Sequence, residues 1–142
     1  NNDSYYRQQA VMLAYDIADR MRANMAGARN PTNNNATSYH MSSTSIPSAV
    51  SCSTNCTSAQ LATNDIADWA TSVANRLPGG SAILCIDNTP DGASIPTPAS
   101  TLCGSGLAPP GTAFAAKIWW NEKEREGSGG VGQKFFTLSF RP

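Results

Sequence analysis

The sequence predicts an α+β domain in which two helices precede a small antiparallel sheet. Three observations carry this. Apolar residues recur at helical spacing in two separate stretches, residues 4–28 and 58–77. After Pro78-Gly79-Gly80 the period shortens to that of strands, in three segments. The two kinds of element are also segregated along the chain, as expected for helices packed on one face of a sheet. With 142 residues and 40% apolar content, the chain suits one domain with a real core. No repeat or boundary divides it. Residues 1–142 read as a single head domain: a first helix to residue 28, a loop and second helix over 30–77, and a sheet region over 82–142.

The first helix carries Ala10, Leu13, Ala14, Ile17, Met21 and Met25 on one stripe. Leu13, Ala14, Ile17 and Met21 are its predicted packing residues. Asp3 or Ser4 can cap its start. Gly27 and Asn30-Pro31 mark its end. The opposite face is polar, with Arg7, Asp16, Asp19, Arg20 and Arg22. Residues 30–57 are rich in Asn, Ser and Thr and read as a long loop pinned by Tyr39 and Ile46. The second helix begins at a capping box, Thr57 with Gln60, where each side chain satisfies an otherwise unpaired backbone donor. Its stripe is Ala62, Ile66, Trp69, Ala70, Val73 and Leu77. The strands are expected over 82–87, 113–121 and 134–140. The last places Phe136, Leu138 and Phe140 on one face and pairs with its predecessor through a charged, Gly-rich tip at 122–133. Residues 88–111 hold most of the prolines and read as irregular.

Charge excludes some functions. Ten Lys+Arg balance ten Asp+Glu, so there is no net basic excess to favour a polyanion; Arg7, Arg20, Arg22 and Arg29 leave a local basic patch open, and no nucleic-acid partner is expected. The low charge and abundant small polar residues suggest an extracellular or periplasmic setting. Four cysteines agree with an oxidising compartment. Cys52-x3-Cys56 could begin a zinc site, but Cys85 and Cys103 stand far apart and His40 is the only histidine. Disulfides are the favoured reading. Of the three connectivities open to four cysteines, Cys52–Cys56 with Cys85–Cys103 is favoured: the first is local and precedes a helix, the second ties a strand to the Pro-rich loop after it.

Catalysis finds little support. A serine nucleophile needs a base, and His40 sits in the most polar loop. Gly127-Ser128-Gly129-Gly130-Val131-Gly132 superficially resembles a phosphate loop but leads into a strand rather than a helix. Asp87-Asn88-Thr89-Pro90-Asp91-Gly92 offers oxygen ligands of the type calcium takes, without EF-hand spacing, and reads as a turn. Glu122, Glu124 and Glu126 alternate with Lys123 and Arg125 at the hairpin tip, where charge discourages edge pairing. Trp119 and Trp120 must point to opposite faces of a strand. One is expected in the core and the other at a surface contact. No catalytic, metal or cofactor site is expected.

The run Gln8-Gln9-Ala10-Val11-Met12-Leu13-Ala14-Tyr15-Asp16-Ile17-Ala18-Asp19-Arg20-Met21-Arg22-Ala23-Asn24 resembles the helix of PilV-type minor pilins. Those proteins typically show an Ala/Leu stretch and then Asp-x-x-Glu-Arg-Met-Arg-Ala-Asn. Asp19 stands where that glutamate often is. The downstream order is similar too: a Cys pair, Asp65 to Trp69, Leu77-Pro78-Gly79-Gly80, and a strand with tryptophan. The resemblance implies a pilin-like fold and a structural subunit rather than an enzyme. It implies a hydrophobic half-helix before Asn1, set in the inner membrane before assembly and in the filament core afterwards. The implied partners are other minor pilins, the major pilin and the inner-membrane assembly machinery, with a role in priming assembly at the pilus tip. The implied location is the periplasm, then the extracellular pilus. Arg20, Arg22, Trp119 and Trp120 are the candidate partner contacts. A minor pseudopilin of a type II secretion system shares this logic, and a secreted adhesion or ligand-binding module is the reading of a different class.

Overall fold

The computed structural model describes residues 2–88, 94–123 and 131–142. Helix α1 (Asn2–Ala23) is followed by the short α2 (Met25–Ala28), a 3-10 turn (Pro31–Asn33), helix α3 (Ser58–Arg76), and strands β1 (Ser81–Ile86), β2 (Phe114–Lys123) and β3 (Val131–Phe140). This is the α+β layout expected of a pilin-like fold: an N-terminal helix with a three-stranded antiparallel sheet.

At 22 residues, α1 is about 33 Å long. It buries Ala10, Leu13, Ala14, Ile17, Ala18 and Met21; Met25 is only half-buried. The single helix expected over 4–28 is broken at Asn24, whose φ of −134° and ψ of 62° leave the helical region. The cause is its side chain. Asn24 is buried, and its Nδ2 donates to Ser58 O at 2.9 Å and to Tyr39 Oη at 3.1 Å. A buried hydroxyl and a half-buried carbonyl compensate for the lost helical geometry. Gly27 follows from the same approach. A Cβ there would lie 2.9 Å from Ser58 O and 2.6 Å from Asn24 Nδ2, so α2 meets the start of α3 only because that residue is glycine.

The 30–57 segment is more ordered than a plain loop. Asn30 caps the 3-10 turn, accepting from Thr32 N at 3.1 Å, and Asn34 and Asn35 occupy left-handed backbone, which Asn tolerates. Tyr39 is fully buried. Ile46 is 46% exposed and pins nothing. Met41 anchors the segment instead: it is buried, and its N–H donates to Leu84 O at 2.8 Å along the free side of β1. Near its end, Cys52–Cys56 closes a small loop. Val50 bonds Asn64 of α3 through both its N–H (2.8 Å) and its C=O (3.0 Å).

The capping box of α3 is complete: Gln60 N donates to Thr57 Oγ1 (3.1 Å) and Thr57 N donates to Gln60 Oε1 (2.9 Å). The whole predicted stripe from Ala62 to Leu77 is buried.

The sheet order is β1-β2-β3, antiparallel throughout. The β2–β3 ladder runs out to Lys123↔Val131, so Glu122 and Lys123 belong to a strand rather than to a tip. Gly132 pairs with Glu122 in that ladder. Glu124, Arg125, Glu126 and the glycine run to Gly130 lie outside the described residues, as do residues 89–92 of the candidate calcium turn.

Cross-strand partners share a face. One row holds Ala82, Leu84 and Ile86, then Phe114, Ala116, Ile118 and Trp120, then Phe136, Leu138 and Phe140. Helices α1 (over β2 and β3) and α3 (over β1) cover it. The other row includes Cys85, Lys117 and Trp119, and residues 94–111 lie across it. Cys85 is bonded to Cys103. Trp119 Nε1 donates to Pro96 O at 3.0 Å. The Lys117 ammonium donates to Thr101 O at 2.7 Å and Leu102 O at 3.0 Å. Burial pushes the Lys117 pKa down, with Asp87 opposing. The Pro-rich segment is thus a third layer. The expected exposed tryptophan does not exist: Trp119 lies under this strap, Trp120 under α1, and both are fully buried.

Candidate assembly surface on the first helix

With both sheet faces covered, the outward side of α1 is the most extended regular surface. Tyr5, Met12 and Tyr15 are 54%, 59% and 51% exposed. With Gln8, Asp19 and Arg22, also exposed, they form the series 5, 8, 12, 15, 19, 22. Steps of three and four keep these residues in line along a helix, and a seven-residue repeat is the spacing by which one helix packs beside another. The apolar members lie toward the helix start and the charged pair toward its end. Periodicity picks out the buried stripe and passes over this second one. A signal for it is present in three large apolar-bodied residues that fall off the buried stripe but in register with one another.

The Asp19–Arg22 pair at 3.0 Å is exposed and leaves both side chains accessible. Arg20 is placed differently. Its guanidinium lies 3.3 Å from Asp16, 3.3 Å from Asp65 and 3.7 Å from Asp68, so it ties α1 to α3 within the chain rather than projecting toward a partner. The tie extends inward: Tyr39 Oη donates to Asp65 Oδ2 and accepts from Asn24 Nδ2. One connected network therefore joins α1, the 30–57 segment and α3. Sequence reading could not assemble it, because Asn24, Tyr39 and Asp65 are far apart along the chain.

Burial and the Asp65 hydrogen bond push the Tyr39 phenol well above its ordinary pKa of 10. This gives a prediction. Tyr39→Phe leaves Asp65 and Asn24 short of a buried partner and should cost about 1–3 kcal/mol near neutral pH. In the wild type the folded phenol keeps its proton above pH 10 while the unfolded one loses it, so stability falls with pH there. The variant lacks that dependence. Chemical denaturation at pH 7 and pH 11 should therefore show the gap between the two proteins narrowing at the higher pH.

The other candidates do not form a site. His40 is exposed and makes no hydrogen bond among the described residues. Asp87 is buried and accepts from Ser139 Oγ, which ties β3 to the end of β1. Among the described residues no group of three or more His, Cys, Asp or Glu could hold a metal ion. Both disulfides are formed, Cys52–Cys56 with S–S 2.08 Å and Cys85–Cys103 with S–S 1.99 Å. Among the described residues no helix is long and apolar enough to cross a membrane.

Residues 1–67 match a family model described as Tt1218-like, type IV pilin Tt1218. Over those residues, just under half of the chain, the protein is similar to a type IV pilin. The match spans α1, α2, the 30–57 segment and the first half of α3, and so includes the exposed stripe and the network around Asp65. No curated protein and no solved structure shows significant similarity to the chain.

Proposed function

We propose that this chain is a minor pilin that helps to prime a type IV pilus by packing α1 beside the first helices of neighbouring pilins. The observation that carries the reading is the two-sided character of α1. One stripe seats it on the sheet, while Tyr5, Met12 and Tyr15 remain exposed in a second stripe at helix-packing spacing. The match to a type IV pilin family over the residues that build this helix points the same way. Neighbouring subunits enter the filament from the same side, so their first helices run in the same direction. Its work is association: apolar area on α1 is removed from water, and no covalent bond changes. An adhesion module would use the Trp residues and the polar loops on a surface; with Trp119 and Trp120 buried, that reading keeps only the loops.

The test is Met12→Glu combined with Tyr15→Glu in the full-length protein, in its own cells. Both side chains are exposed, so the melting temperature of the domain should move little. Recovery of the protein in sheared filaments should fall by about tenfold or more, the equivalent of about 1.4 kcal/mol of lost association. Undiminished recovery overturns the role given to this stripe.

A further inference from the structure

The two outer edges of the sheet are treated differently. Along β1, Met41 N donates to Leu84 O at 2.8 Å and Gly104 N to Ile86 O at 2.8 Å, so two loops close that edge. Along β3, among the described residues, no backbone hydrogen bond arrives from outside the β2 ladder. Yet β3 is ten residues long and paired in unbroken register with β2 from Val131 to Phe140. It has no bulge and no proline. Its one charged residue, Lys134, is exposed and makes no ion pair among the described residues. Natural edge strands are normally kept short, bent, charged or covered. This one is neither short, bent nor covered among the described residues, and Lys134 is its single charge. Phe135, Phe136 and Leu138 pack against the core but stay half-exposed at the same edge.

We infer that β3 is a docking edge that takes an extended strand from a neighbouring pilin subunit. The chemistry of the occupant follows from what is unmet. A row of unpaired backbone groups calls for extended backbone. The half-exposed side chains on both faces call for apolar residues at alternate positions on each side, and unpaired Lys134 calls for a carboxylate beside it. A second copy pairing β3 antiparallel with β3 is the wrong occupant. Antiparallel self-pairing has a two-fold axis normal to the sheet, which reverses every direction in its plane. Because α1 lies against β2 and β3, the two first helices would then run in opposite directions. The inference rests at this step on the pilin reading, in which neighbouring helices run the same way.

The experiment places a benzophenone amino acid at Gln133, Lys134 or Thr137, one at a time, in the full-length protein in its own cells, with Met12 as a parallel site on α1. Crosslinked peptides are mapped after irradiation. The expected result is that the three β3 sites join one extended segment of another subunit, the attachment point moving along that segment in step with the label. Attachment of β3 to β3 of a second copy overturns the inference, as do scattered or absent crosslinks from β3. If Met12 still joins a neighbour's first helix in those cases, the pilin reading stands and only the docking edge fails. If Met12 and the β3 sites are all silent, both fail.

Discussion

Replacing Ile17 with Asp should leave the domain unfolded or molten at ordinary temperatures. Ile17 is fully buried at the centre of the α1 stripe, among Leu13, Ala14 and Met21. An aspartate there removes a large apolar side chain and puts a charge, or a proton taken up against its normal pKa, into a site with no partner. Loss of the aliphatic group alone costs about 2–5 kcal/mol, and the unpaired polar group adds several more. Domains are stable by about 5–15 kcal/mol in total, so the sum consumes most or all of the margin. Near-ultraviolet circular dichroism and thermal melts would show it as lost tertiary signal and an absent or greatly lowered transition. Arg22→Ala is the matched control on the opposite face. Its partner Asp19 is exposed, and an exposed pair of this kind contributes little. That variant should melt within a few degrees of the wild type. The reverse order would mean that the two faces of α1 are exchanged.

Trp69→Ala is the second large effect, expected at about 3–5 kcal/mol. Trp69 is fully buried in α3, and its indole Nε1 donates to Leu13 O of α1 at 2.8 Å. Truncation opens a cavity between the two helices and removes a bond between elements 56 residues apart in sequence. Trp69→Phe separates the two contributions. It retains much of the ring volume but not the donor, and should fall at about 1–2 kcal/mol, the range of a buried hydrogen bond. Urea titration followed by far-ultraviolet circular dichroism measures both. If Phe proved as damaging as Ala, the hydrogen bond to Leu13, rather than the volume of the ring, would be what joins the two helices.

What was legible in the sequence depended on how local its cause was. Helix α3 was legible almost to the residue, because Thr57, Gln60 and Pro78-Gly79-Gly80 act within a few positions of its ends. The buried stripes of both helices were legible because periodicity is a local property that burial merely reveals. The break at Asn24 was not, since it arises from Ser58 and Tyr39, both distant in sequence. Nor was the burial of both tryptophans. Alternation along a strand correctly sends Trp119 and Trp120 to opposite faces, but whether the second face is wet depends on where residues 94–111 go, and a stretch of prolines and serines does not announce a covering layer. Lys117 hid this further: a lysine in a strand reads as solvent-facing, whereas here its ammonium holds the strap by two carbonyls. Ile46 failed for the complementary reason. An apolar residue in a polar loop looks like an anchor, but Tyr39 and Met41 had already taken the sites on the body.

The ties between α1 and the rest of the head have a mechanical consequence. They occur at three heights along one axis: the Leu13 carbonyl to Trp69, Arg20 to Asp65, and Asn24 to Ser58. All three end on α3. A force drawn along α1 therefore loads them in shear and together, rather than peeling them one after another, and these polar ties pass it into α3 while the apolar stripe bears on β2 and β3. Neither covalent crosslink lies on that path. Cys52–Cys56 closes a loop just ahead of α3, and Cys85–Cys103 fastens the strap on the far side of the sheet. Resistance to pulling and resistance to heat are thus assigned to different parts of the molecule. Reduction should weaken the second far more than the first.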